Sequence, residues 1–159
     1  MRAIEIAPKG WDATKEVDQV LIDFDRRHRR RIRLTTEGGH EILLDLPRAA
    51  RLRHDDGLVL NTGGIVRVLA RPEQLLDIHV HDAATLVRIA WHLGNRHLPV
   101  QLLESHIRIR TDHVIREMVE RLGGHVEPIE APFDPEAGAY AGGHDHSPDH
   151  DDDHDHPHA

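Results

Sequence analysis

LLDIHVHDAATLVRIAWHLGNRHLPVQLLESHIRIRTDHVIREMVERLGGHVEPI, residues 75–129, is the stretch whose reading decides the fold. Residues 75–80 read as a strand, and Asp82 follows where a carboxylate can accept the unpaired N–H groups of a helix start. Apolar residues recur at helical spacing at Ala83, Leu86, Val87, Ala90 and Leu93, and Gly94 is the expected left-handed residue that ends this helix. Residues 100–103 and 106–110 form a hairpin across Glu104-Ser105. Thr111 opens a second helix with Val114, Ile115, Met118, Val119 and Leu122 on one side; Gly123-Gly124 stops it, and residues 125–129 are a last strand. Strand, helix, strand, strand, helix, strand is the ferredoxin-like βαββαβ order, with two helices on one face of an antiparallel sheet.

Upstream the pattern changes. RIRLTT (31–36), EILLDL (41–46), GLVLNT (57–62) and IVRVLA (65–70) are short strand-like runs separated by Gly38-Gly39, Asp55-Asp56-Gly57 and Gly63-Gly64. Arg71-Pro72 interrupts the series, because proline lacks the donor a strand ladder needs and biases its predecessor toward extended backbone. The expected class is therefore α+β: a small all-β domain over 1–71, a ferredoxin-like domain over 72–133, and a tail over 134–159. Both domains are small for their cores, so oligomerisation is expected to supply the missing burial.

Downstream, HDHSPDHDDDHDHPHA (144–159) holds six His, six Asp and no Lys or Arg. The whole chain of 159 residues has 20 basic and 28 acidic residues, a net charge of −8; without those six Asp the balance is 22 to 20, so most of the charge is a tail. Lacking large apolar residues, this segment cannot offset its ordering entropy and is expected to be disordered when free. PFDPEAGAYAGG (132–143) reads as a flexible linker, which places the end of the folded part near Phe133.

Sixteen histidines accompany no cysteine. That excludes disulfides, thiolate zinc sites, iron–sulfur clusters and a cysteine nucleophile. Two Met make Cu(I) chemistry a poor match, whereas imidazole and carboxylate suit Ni(II), Cu(II) and Zn(II). No apolar run approaches the roughly 20 residues that span a bilayer. MRAIEIAPKG at the start lacks the apolar centre of a secretory signal, so a cytoplasmic protein without a membrane partner is expected.

His144, His146, His150, His154, His156 and His158 form the strongest candidate, a chain of His-x-His steps able to wrap divalent ions without a preformed cage. His97, in a polar turn ending at Pro99, is a second; one imidazole cannot hold a metal alone, but copies meeting on a symmetry axis can. His113 lies in the first turn of the second helix, after Asp112, where the helix dipole disfavours imidazolium and helps keep the ring able to ligate. His79 and His81, two apart on a strand, share a face; they could form a bidentate pair, but two surface residues on a sheet face are the favoured reading, and His28, His40, His54, His92, His106 and His125 show no ligand spacing. Arg26, Arg27, Arg29, Arg30, Arg31 and Arg33 invite a nucleic-acid reading, but no aromatics interleave for base stacking, and docking of an acidic protein fits as well. With no HExxH, GxSxG or phosphate loop, an enzyme is not expected.

GNRHLP (94–99), TDHVIREM (111–118), GLVLNTGG (57–64) and the histidine-rich end together resemble the UreE family of urease accessory nickel metallochaperones. The resemblance implies a peptide-binding-like β domain and a ferredoxin-like metal-binding domain that dimerises, or pairs further into a metal-bridged tetramer. It also implies that His97 is the interfacial nickel ligand, His113 a peripheral ligand, and the tail an ion collector. Some members read His-Asp-His where this chain has Thr111, Asp112 and His113, so the peripheral site here has one ligand fewer. The implied activity is collection of Ni(II) as cargo and its delivery, through a GTPase partner, to the urease apoprotein complex; Zn(II) or Cu(II) would compete in vitro. The alternative is a passive nickel or zinc buffer, which needs only the tail.

Overall fold

The computed structural model describes residues 1–137, so the six tail histidines lie outside the described residues. Six strands build the first sheet: β1 (Arg2–Ala7), β2 (Glu16–Ile22), β3 (His28–Thr35), β4 (Glu41–Arg51), β5 (Gly57–Leu60) and β6 (Ile65–Ala70). Their spatial order is β2-β6-β5-β1-β4-β3, with β1 parallel to β4, β2 parallel to β6, and the other neighbours antiparallel. Alternation explains the core: Ile42, Leu44 and Leu46 of β4 turn inward beside Ala3, Val20, Ile22, Leu58, Val66 and Val68. Strands β1 and β2 are additions to the sequence reading. Only Ala3 of β1 is deeply buried, and Ile4 is 47% exposed, so one of the two central strands of the sheet shows weak apolar alternation.

The second sheet contains β7 (Pro72–His79), β8 (Gln101–Leu102), β9 (Ile107–Arg110) and β10 (His125–Pro132), with α1 (Ala83–Asn95) after β7 and α2 (His113–Arg121) after β9. Its order is β10-β7-β9-β8, antiparallel throughout, as the ferredoxin-like arrangement requires. Leu76, Ile78, Ile107 and Ile109 face Ile89 and Leu93 of α1 and Ile115, Met118 and Val119 of α2. The helix faces differ slightly from the periodicity. Val87 and Val114 are 67% and 48% exposed, while Ile89, outside the expected stripe, is fully buried. The helix is capped by Asp82, whose Oδ1 accepts from the Thr85 amide at 2.7 Å.

Phe133, near which the sequence places the end of the folded part, is an anchoring residue. Phe133 is fully buried with its ring 5.3 Å from that of Phe24, joining the second unit to the first together with Leu75. The buried Arg27 donates from Nη2 to the Phe133 carbonyl, and Asp134 lies 3.6 Å from Arg27 and 3.2 Å from Arg53. Burial pulls the Arg27 guanidinium below its ordinary pKa, and Asp134 and Glu73 oppose that shift. Arg110 bonds Asp25 at 2.9 Å at the same corner. The segment read as a linker is therefore bound at its start: the Asp134 amide reaches Gln101 at 3.0 Å, and the Glu136 amide donates to the Val100 carbonyl at 2.8 Å. Pro72 and Pro132 stand opposite each other at the open end of the β7–β10 ladder. The basic run is likewise not one surface. Arg27 is interior, whereas Arg29, Arg30, Arg31 and Arg33 lie exposed on β3 at the edge of the first sheet.

Candidate functional site

His97 sits just past the end of α1 and is exposed. Its φ is +54°, and its amide donates to the Gly94 carbonyl at 3.1 Å. Gly94 was the expected left-handed residue; it lies inside the helix instead, and the imidazole-bearing residue itself takes the turn conformation. Such a φ is uncommon outside glycine, although histidine is among the residues that tolerate it. The result is a side chain projecting from a sharp reversal, with Pro99 two residues later limiting the next step.

His113 is the first residue of α2 and is also exposed. Thr111 precedes the helix rather than opening it. Asp112 is the cap, its Oδ1 accepting from the Val114 and Ile115 amides at 2.9 and 3.1 Å. The segments carrying the two histidines meet at one cleft of about 230 Å³, lined by Leu98, Pro99, Ile109, Thr111, Asp112 and Ile115 among others. Neither imidazole makes a side-chain hydrogen bond to another described residue.

Other histidines come together in combinations that spacing did not single out. On the face of the second sheet away from the helices, His79 stacks on His106 with centroids 4.7 Å apart, and His81 meets His125 edge-on at 4.6 Å. His79 and His81 thus part to different partners instead of forming a pair with each other. His106 Nε2 is 3.1 Å from Asp77 Oδ2, an ion-pair approach without hydrogen-bond alignment, and Asp77 is held by Arg108 through two bonds of 2.8 and 3.2 Å. The signal that reaches this grouping is topological. The βαββαβ order makes the first and last strands antiparallel neighbours, which brings the end of β7 beside the start of β10, where His79 pairs in register with His125. Among the described residues no group of three or more His, Asp or Glu forms a ready metal cage, and His97 and His113 belong to no such group within one chain. Among the described residues, too, no helix is long and apolar enough to cross a membrane.

Two family models match, one described as the N-terminal domain of the UreE urease accessory protein over residues 2–71 and the other as its C-terminal domain over residues 73–159. Similar proteins named urease accessory protein UreE include one from Rhodopseudomonas palustris, 56% identical over 80% of this chain and 60% of its own length. One from a Bradyrhizobium species is 57% identical over 78% of this chain and 59% of its own length. One from Beijerinckia indica is 47% identical over 89% of this chain and 82% of its own length. The chain spans about 60% of the length of the first two of these relatives.

Proposed function

The chain belongs to the UreE urease accessory protein family, and from that premise we propose that it is a non-catalytic nickel carrier that collects Ni(II) and delivers it during assembly of the urease active site. The observation that carries this reading is the presentation of His97. An exposed imidazole on a sharp turn at φ +54°, without a hydrogen-bond partner among the described side chains, is available to an ion and to a second copy at once. Two chains meeting about a twofold axis would supply two such ligands to one ion, which makes the carrier a homodimer, with metal-bridged pairing into a tetramer as an extension. Exchangeable imidazoles also suit delivery better than a closed tetrahedral cage.

The division of labour follows the two units. Residues 1–71 would dock the partners, an accessory GTPase and the urease apoprotein complex; 72–133 would hold metal and dimerise; the tail would collect ions through His144, His146, His150, His154, His156 and His158. His113 would act as a peripheral ligand with one fewer neighbour than a His-Asp-His arrangement offers, because Thr111 has no ring nitrogen. Support for transfer comes from where the described chain ends. Glu136 is bonded to Val100, three residues beyond His97, and eight residues from Glu136 to His144 reach at most about 28 Å at full extension. That length is enough for the first tail histidine to reach the residue it would load. A cytoplasmic setting fits a carrier of this kind, with no nucleic acid or membrane among its partners.

Calorimetry with Ni(II) tests this reading on the full chain and on a chain ending at Ala137, which keeps the bonds of Asp134 and Glu136. The shortened protein is expected to lose most sites and retain one ion per two chains; His97→Ala then removes that ion. Nickel binding by the shortened chain that survives His97→Ala would overturn the interfacial site. Urease activation in limiting nickel separates delivery from buffering. Full activation by the His97→Ala protein would leave only a passive store. Because imidazole must be deprotonated to ligate, affinity is expected to fall as pH drops through the range near 6.5.

A further inference from the structure

We propose that His81 and His125 form a second, intrachain site for a borderline divalent cation, a two-nitrogen clip at one end of the second sheet. It is independent of the nickel-delivery reading and of every residue named in it. The two Nε2 atoms lie 2.7 Å apart, and the rings meet at 77°. Both side chains are exposed, so solvent has free access to the remaining coordination positions.

The distance is close to what the chemistry needs. Metal–imidazole bonds of about 2.0–2.1 Å at the tetrahedral angle of zinc separate the two nitrogens by about 3.3–3.4 Å. The clip therefore accepts an ion after opening by about 0.6–0.7 Å, which small rotations of two exposed rings supply. Without metal, a contact this short needs one ring to donate its Nε2–H and the other to offer its Nε2 lone pair. When an ion enters, it takes both Nε2 lone pairs, and the donating ring becomes the Nδ1–H tautomer by proton exchange with solvent. No net proton is released.

Backbone holds the two rings together. His125 opens β10 directly after Gly123, at φ +97°, and Gly124, where a Cβ would come within 2.6 Å of Val119 and 2.9 Å of Ile89. Residue 124 is thus packed onto α1 and α2, which fixes where the following strand starts. His81 is held from the other side by the β7 ladder, in which His79 pairs with His125, and by Asp82, which caps α1. The pair is preorganised by the fold of one chain, whereas His97 requires a second copy. Neutral nitrogen ligands with open positions select Zn(II), Ni(II) and Cu(II) over the hard cations Mg(II) and Ca(II).

The test uses the full-length chain in which His97, His113, His144, His146, His150, His154, His156 and His158 are all replaced by Asn. Success or failure there is therefore separate from the proposed delivery route. The probe is Zn(II), followed by calorimetry and by the ring-nitrogen NMR signals of the remaining histidines. One zinc per chain is expected, with the Nε2 signals of His81 and His125 moving together. His125→Gln in that background should weaken binding at least tenfold, and His81→Gln should do the same, which keeps the test decisive if one variant folds poorly. An eightfold-substituted chain that is folded by circular dichroism yet takes up no zinc would overturn the proposal. So would zinc uptake unchanged by both Gln variants, or uptake that moves only the His79 and His106 signals.

Discussion

The two sheets use histidine in opposite ways. In the first, His54 Nδ1 accepts the Ala70 amide at 3.0 Å, and His40 Nδ1 lies 3.0 Å from Asp18, so two of its three rings complete the fold. In the second, His97 and His113 are exposed without a side-chain partner among the described residues, and four more gather on the helix-free face of the sheet. The difference teaches that histidine count alone assigns nothing. A ring that satisfies a backbone donor is a structural acceptor, and one left in solvent beside another ring is available to a cation.

The contrast presumes that the units are joined yet distinct, and Phe133→Ala attacks that directly. Removing a fully buried aromatic between the sheets is expected to cost about 3–4 kcal/mol and to split one calorimetric unfolding transition into two. A single transition at an unchanged temperature would show that the ring does not couple them. His54→Ala is next: a partly buried Ala70 amide loses its acceptor, for a loss of about 1–2 kcal/mol by denaturant titration, while Ni(II) uptake stays unchanged.

Asp18 gives the acid limit of the first sheet. Its carboxylate accepts from Thr36 first, then from His40 and the Gln19 and Gly38 amides, and its pKa falls to about 2 from 3.8. The lowered value means that the unfolded chain binds this proton more readily. The stabilisation is therefore complete above about pH 4 and disappears as pH falls toward 2. Asp18→Asn should remove about 1 kcal/mol at neutral pH and flatten that part of the acid-denaturation curve. His97→Gly is the smallest effect and has the opposite sign. Relief of a left-handed φ of +54° should stabilise by up to about 1 kcal/mol while abolishing the proposed interfacial ligand. A destabilised glycine variant would mean that the ring is a packing element like His54.

The second unit was legible because its signals are local. Capping by Asp82, the Gly123-Gly124 stop and the Glu104-Ser105 reversal each depend on neighbours in the chain. Helix phase was less so: Ile89 and Val87 sit on opposite sides, and only the packed sheet distinguishes them. Strand β1 was invisible because a single alanine carries its deepest burial. His97 could be singled out by the turn around it, although its left-handed backbone was assigned to Gly94. The His81–His125 contact spans 44 residues and exists only once the first and last strands pair. The binding of residues 133–136 escaped for a similar reason, since the Arg27 that holds them lies in the other unit.

Pro72 and Pro132 also bear on how the molecule carries load. The second unit is entered and left at adjacent points, through two residues that bring no N–H donor to the last rung of their ladder. Tension along the chain would therefore peel β10 from β7 rung by rung rather than shear all the rungs together. What resists the first step is the Arg27 grip on the Phe133 carbonyl and Asp134. The unit hangs from its neighbour by one corner, with the His97 turn on the attached side through the Glu136–Val100 bond, and the end of the sheet that carries His81 and His125 lies farthest from that grip.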